Sequence, residues 1–261
     1  MSRGVRDRAS AALRTAVGLV VLPALIALLA PAGIALGLLG AHPRTVHRLY
    51  VLFARAAMAV GATRVEVHGR QRLRAAAAYV VVSNHESAWD PLCLLAGLPE
   101  LVLRFVVKEA IMRIPLFGHA LRATGNLRVV RTHTASDVRS IEEGMGCRDE
   151  AVSMLFFAEG TRSRDGALHP FKKGAFATAL QHGLPVLPVA IAGTRRIWPK
   201  GTLGVRPGRV VVEVGEPLPV QALRLEDRAA LREEAFRAVR ELRAQARARL
   251  RAAGVEPGGI D

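Results

Sequence analysis

The sequence predicts an α/β fold: a mixed, largely parallel sheet flanked by helices, behind an N-terminal membrane-anchoring helical hairpin. Three observations predict it. After Gly61, short β-branched runs alternate with helical stretches, the pattern of a sheet covered on its faces. Before Gly61 lies an uncharged apolar segment from Thr15 to Ala41, long enough to cross a hydrocarbon core of about 30 Å. The chain of 261 residues is long enough for one good-sized core plus an appendage.

In chain order, the apolar segment comes first. Pro23 and Pro31 interrupt it, and Pro31-Ala32-Gly33 marks a break. Both flanks are basic, with Arg3, Arg6, Arg8 and Arg14 before it and Arg44, Arg48 and Arg55 after it. Basic residues stay on the cytoplasmic side, so both ends belong there, and the segment is an in-and-out hairpin or a shallow re-entrant anchor on the cytoplasmic face of the cell membrane. A secretory signal peptide has a shorter apolar region of roughly 7–15 residues. Residues 46–61 form a second helix with Leu49, Leu52, Phe53 and Ala56 on one face. The anchor thus occupies 1–62, an α/β domain 63–253 and a tail 254–261. Strands are expected at 64–67, 79–83, 104–107, 127–130, 153–157, 186–191 and 210–214. Helices are expected at 91–96, 136–144 and 174–182. A long arginine-rich helix spans 225–253, its stripe of Leu231, Ala235, Val239, Leu242, Ala246 and Leu250 packed on the core and its other face solvated. Gly254 ends it, and the last residues read as frayed.

Lys and Arg total 37 against 22 Asp and Glu, a net charge of +15 that favours an anionic partner. Aromatic residues are few, and no P-loop, zinc-finger or aromatic-basic pattern appears, so nucleic acid is set aside in favour of an anionic membrane surface or substrate. Cys93 and Cys147 form neither a CxxC pair nor a metal-ligand spacing and read as free thiols in a reducing compartment. A zinc HExxH pattern starting at His85 fails, because Trp89 stands where the second histidine belongs.

Two stretches directly follow strands, at the sheet edge where α/β proteins place their sites. In Ser83–Pro91, "SNHESAWDP", Ser87 and Asp90 approximate a capping box, which alone would account for Asp90. The functional reading makes His85 a general base whose tautomer Asp90 holds. In "FAEGTRSRDG", Glu159, Gly160, Thr161, Arg162 and Ser163 gather a carboxylate, a flexible glycine, hydroxyls and a guanidinium suited to phosphate; with Lys172 and Lys173 they could form an anion pocket. Each stretch alone is weak evidence.

Together, and in order, these stretches resemble the glycerolipid acyltransferase family, which has four ordered blocks. The first, NHxSxxD, is Asn84-His85-Glu86-Ser87-Ala88-Trp89-Asp90. The second is led by Lys108 and includes Pro115 and Gly118, with a strand from Gly125 to Arg131 after it. The third is Phe157-Ala158-Glu159-Gly160-Thr161-Arg162-Ser163, with Ala158 in place of the usual proline; Val130 likewise stands where an aspartate is often found. The fourth is Leu187-Pro188-Val189-Ala190-Ile191-Ala192-Gly193. The resemblance spans roughly 65–216. It implies transfer of a fatty acyl group from an acyl thioester, acyl-CoA or acyl-ACP (acyl carrier protein), to the hydroxyl of 1-acyl-glycerol-3-phosphate, giving phosphatidic acid in phospholipid biosynthesis. It implies no metal and no cofactor beyond that co-substrate. His85 and Asp90 would be catalytic. Asn84, Ser87, Lys108, Arg131, Glu159, Gly160, Thr161 and Arg162 would bind substrate. Glu159, Arg162 and Arg131 would hold the phosphate, and backbone N–H groups near Lys108 or the Asn84 side chain are positional candidates for stabilising the oxyanion. Another lyso-lipid acceptor is the alternative, as is a non-catalytic membrane adaptor of the same fold; an adaptor would be expected to lose His85 or Asp90, and both are present.

Overall fold

Three consecutive valines, Val80, Val81 and Val82, lie at the centre of the molecule. β-Branched side chains fit a pleated surface, and here each is buried, as a strand covered on both faces requires. The computed structural model describes residues 3–74, 77–129, 152–202 and 204–258. These contain a seven-stranded sheet in the order β1 (Thr63–His68), β7 (Gly208–Val214), β6 (Val186–Ala192), β2 (Val80–Ser83), β5 (Val152–Phe157), β3 (Val102–Lys108) and β4 (Leu127–Val129). All neighbours are parallel except β6 and β7. Strands β6, β2, β5, β3 and β4 therefore end at one edge of the sheet. Every predicted strand forms. The predicted helix at 136–144 lies outside the described residues.

Alternation along β2 divides the core into two layers. Val81 packs with Trp89, Leu94, Leu98 and Met58, beneath α2 (Pro43–Val60) and α3 (Asp90–Gly97). Val80 and Val82 pack on the other face with Phe171, Phe176, Leu231 and Val239, beneath α6 (Gly174–His182) and α8 (Arg228–Ala252). Fully burying one such side chain contributes about 1.5–3 kcal/mol. Short helices α4 (Glu109–Met112) and α5 (Phe117–Ala123) follow β3, and α7 (Thr194–Ile197) follows β6. The apolar stripe expected of the long C-terminal helix is buried along its whole length. The tail is docked rather than frayed as far as Gly258: the Val255 N–H donates to the Leu250 carbonyl at 2.8 Å, and Arg247 donates to the Gly258 carbonyl at 3.0 Å.

The N-terminal region departs from expectation in two ways. First, α1 (Arg3–Leu38) runs unbroken through Pro23 and Pro31. A proline removes one helical hydrogen bond and kinks the helix, but strong helix formers on either side carry it onward. The chain reverses later, at 39–42, between Gly40 and the proline that opens α2. Small residues near Pro31 serve packing instead. A Cβ on Gly37 would stand 2.0 Å from the Ala123 carbonyl oxygen, so the bare glycine lets α1 lie directly on α5. Second, α2 buries Val46, His47, Val51, Ala54, Ala57 and Met58, nearly the opposite face from the predicted one, and Leu52 is exposed. The small side chains let α2 approach α3 and the sheet, and close packing outweighed the bulk of Leu49, Leu52 and Phe53. Residues 14–38 of α1 contain an 18-residue window of mean hydropathy 2.5 and are long and apolar enough to cross a membrane. Leu19, Val20, Leu28 and Leu38 are exposed on α1, an apolar surface larger than scattered surface leucines would make.

Candidate active site

The loop leaving β2 carries the first block to the sheet edge. His85 Nδ1 lies 2.7 Å from Asp90 Oδ2, and Asp90 is fully buried. The same oxygen accepts the N–H groups of Glu86 at 2.7 Å and Ser87 at 2.8 Å. Asp90 thus both folds the helix start back on itself, half of the predicted capping box, and holds the imidazole. Ser87 does not complete that box. Its hydroxyl accepts the Trp89 N–H at 3.1 Å and donates to the Trp198 carbonyl at 2.7 Å. With Nδ1–H directed at a buried carboxylate, the basic lone pair is on Nε2.

The third block grips this histidine from three sides. Phe157 stacks on the ring with centroids 3.9 Å apart and planes 16° apart. Ser163 N–H donates to the His85 carbonyl at 2.8 Å. Glu159 Oε1 accepts the His85 N–H at 2.8 Å while Oε2 accepts the His169 N–H at 3.0 Å. Burial raises the Glu159 pKa, and the two N–H groups oppose the rise. Both carboxylate oxygens thus shape the loop by accepting backbone N–H groups. Gly160 has φ of 72°, and a Cβ there would meet the Lys172 stem at 2.8 Å, so this bend needs glycine. Ala158, where proline was usual, donates its N–H to the Ser83 carbonyl at 3.1 Å, a bond proline cannot make.

The fourth block meets the first through Asn84. Its side chain donates to the Ile191 carbonyl and accepts the Ile191 N–H, both at 2.9 Å, and it is buried. Asn84 locks the first block to β6. Lys108 is exposed at the carboxyl end of β3, on the same sheet edge, with β5 between its strand and β2. Arg131 lies outside the described residues. Thr161 and Arg162 line a depression of about 420 Å³ with Arg164, Asp165, His169 and Lys200. Lys172 and Lys173, grouped with this pocket from sequence, do not line it.

Sequence reasoning missed the support behind the loop. Arg243, buried in α8, bonds Glu86 Oε1 at 3.0 Å and the Gly166 carbonyl, tying the first block's loop to the third's. Burial pushes the Glu86 pKa up to about 7, against the pull of Arg243, while the charge of Asp90 adds to the rise. The available signal was spacing: Arg243 and Arg247 follow Val239 at helical intervals, on the stripe that faces the core.

A buried carboxylate, an imidazole with its basic nitrogen outward and an adjoining cationic depression define a site for base-assisted chemistry on an anionic substrate. Comparison with known proteins narrows this. A family model described as Acyltransferase matches residues 64–192. The 1-acyl-sn-glycerol-3-phosphate acyltransferase of Limnanthes douglasii is 34% identical over 155 residues, 59% of this chain and 54% of that protein. The human 1-acyl-sn-glycerol-3-phosphate acyltransferase beta is 30% identical over 201 residues, 76% of this chain and 72% of that one. The crystal structure of the 1-acyl-sn-glycerophosphate (LPA) acyltransferase PlsC from Thermotoga maritima superposes with a TM-score of 0.69 at 26% identity, over 93% of this chain and 98% of that one. The chain belongs to the acyltransferase family. It spans about half the length of the plant relatives it matches.

Proposed function

We propose that the protein transfers a fatty acyl group from an acyl thioester, acyl-CoA or acyl-ACP, to the free hydroxyl of 1-acyl-glycerol-3-phosphate, giving phosphatidic acid. The observation that carries this is the His85–Asp90 pair at 2.7 Å beside the cationic depression that Arg162 lines. An alcohol is a weak nucleophile. His85 Nε2 takes its proton as the oxygen attacks the thioester carbonyl carbon. The tetrahedral adduct collapses, the C–S bond breaks, and the imidazolium returns the proton to the leaving thiolate. Asp90 stabilises the imidazolium between these steps. Thr161 and Arg162, with Lys108 and, from the sequence, Arg131, hold the phosphate. Glu159, Gly160, Ser87 and Asn84 position the loops. The exposed apolar surface of α1 and the charge of +15 support work at the cytoplasmic face of the cell membrane, where each Lys or Arg near anionic lipid contributes about 1 kcal/mol.

The test supplies detergent-purified protein with a labelled acyl thioester and lysophosphatidic acid, and follows phosphatidic acid by thin-layer chromatography. Wild type forms product, and His85→Ala is slower by roughly 10²–10⁴-fold with its fold intact. Near wild-type turnover by His85→Ala would remove the mechanism. No product from wild type with this acceptor would remove the substrate assignment.

A further inference from the structure

The turn at 198–202, between α7 and β7, lies outside all four sequence blocks yet touches two of them. Ser87 of the first block holds the Trp198 carbonyl at 2.7 Å. Lys200 Nζ donates to the Arg162 carbonyl of the third block at 2.9 Å and lies 3.5 Å from Thr161 Oγ1. The turn is itself well braced. Trp198 Nε1 donates to the Thr202 carbonyl at 2.7 Å, and Thr202 Oγ1 donates to the Pro199 carbonyl at 3.0 Å. Beyond it, the Val205 N–H donates to Thr15 of α1 at 3.2 Å, so the segment runs from the apolar helix to the mouth of the site.

Lys200 thereby joins Arg162 and Arg164 around the depression of about 420 Å³. Asp165 is the only acid lining it among the described residues, and its Oδ1 is engaged by Ser163 Oγ at 2.8 Å, the Ala167 N–H at 3.0 Å and His169 at 3.2 Å. Like charges held together repel unless an anion joins them. Partial burial and the charges of Arg164 and Arg162 both draw the Lys200 pKa below the usual ammonium value. A phosphate monoester, carrying up to two negative charges, matches such a group, with guanidinium giving bidentate contact and ammonium a point charge.

We propose that Lys200 is a specificity-determining residue, a cation in the acceptor-phosphate pocket that selects phosphate-bearing lyso-lipids over neutral ones. The proposal rests on the acyl-transfer reading above. Lys200→Gln keeps a donor for the Arg162 carbonyl and removes the charge, and Lys200→Arg restores the charge. The Gln variant should raise the lysophosphatidic acid KM about ten- to a hundredfold, the loss of one charged hydrogen bond, with kcat and the thioester KM little changed. Its preference for lysophosphatidic acid over monoacylglycerol should fall by a similar factor, and the Arg variant should recover most of both. An unmoved acceptor KM in the Gln variant, or equal losses in both variants, would overturn the assignment. Inorganic phosphate titrated into the full-length protein, read by tryptophan fluorescence two residues away at Trp198, gives a readout without turnover. A saturable change in wild type that Lys200→Gln abolishes supports the anion site even if lysophosphatidic acid proves not to be the acceptor. The same titration in both proteins, or no saturable change in wild type, overturns the Lys200 proposal and leaves the acyl-transfer reading standing.

Discussion

The two sides of the site obey opposite electrostatic rules. Around His85 the charges are buried and matched: Asp90 against His85 and two backbone N–H groups, Glu86 against Arg243, Glu159 against two more N–H groups. Around Arg162 the charges are partly exposed and mostly alike, with Arg164 and Lys200 beside it and Asp165 as the acid. A buried charge without a partner is costly, so each carboxylate on the matched side has at least one oxygen engaged before substrate arrives. The cationic side tolerates its excess of like charge over Asp165 because water screens it, and on the proposed reading the ligand's anion supplies the rest. Preorganisation and selection are thus built from the same residue types in different dielectric surroundings.

The sharpest way to break the matched side is Asp90→Asn. The amide oxygen can still accept the Glu86 and Ser87 N–H groups, but it no longer stabilises imidazolium. A fall in kcat of roughly 10²–10⁴-fold with little change in Tm is expected from steady-state kinetics and calorimetry. A fall under tenfold would show that Asp90 is chiefly a helix cap. Next comes Arg243→Met, which leaves Glu86 buried without its partner. Destabilisation of roughly 3–5 kcal/mol, a drop in Tm on the order of 10 °C, should follow. It should be greater at about pH 8 than at about pH 6, because burial favours the neutral carboxyl that acid supplies. Replacing Glu86 by Leu in the same chain should recover most of the loss. A single variant with unchanged Tm would mean the pair adds nothing to stability.

The smallest effect tests the same rule away from the site. His47, buried on α2 with no carboxylate partner among the described residues, has its pKa lowered from 6.5 to about 4 by burial and by the nearby Arg104 charge. The folded state binds fewer protons than the unfolded chain between those values, so stability is lost as pH falls from about 6.5 toward 4. The cost at pH 5.5 is roughly 1 kcal/mol by that linkage. His47→Gln should flatten the decline in Tm between about pH 7.5 and 5.5; an equally steep decline in the variant would place the acid sensitivity elsewhere.

What was legible in the sequence was whatever depends on local pattern. The valine-rich run before Ser83 predicted a doubly covered strand, the Leu231-to-Leu250 stripe predicted a helix with one buried face, and the block at Asn84 to Asp90 placed a histidine and an aspartate where a tight loop would join them. Gly40 and Pro43 also carried the chain-reversal signal, although Pro31-Ala32-Gly33 resembled it more. What only the tertiary structure decided was the partner of each polar group and the face each helix presents. Asn84 is locked to Ile191, 107 positions away, Glu159 closes on His85 across 74, and Arg243 reaches Glu86 across 157. No window of sequence contains both ends of such a bond. Hydrophobic periodicity is written along the chain because burial acts on every residue of an element. The role of a polar side chain is settled by whichever group the fold brings within about 3 Å of it.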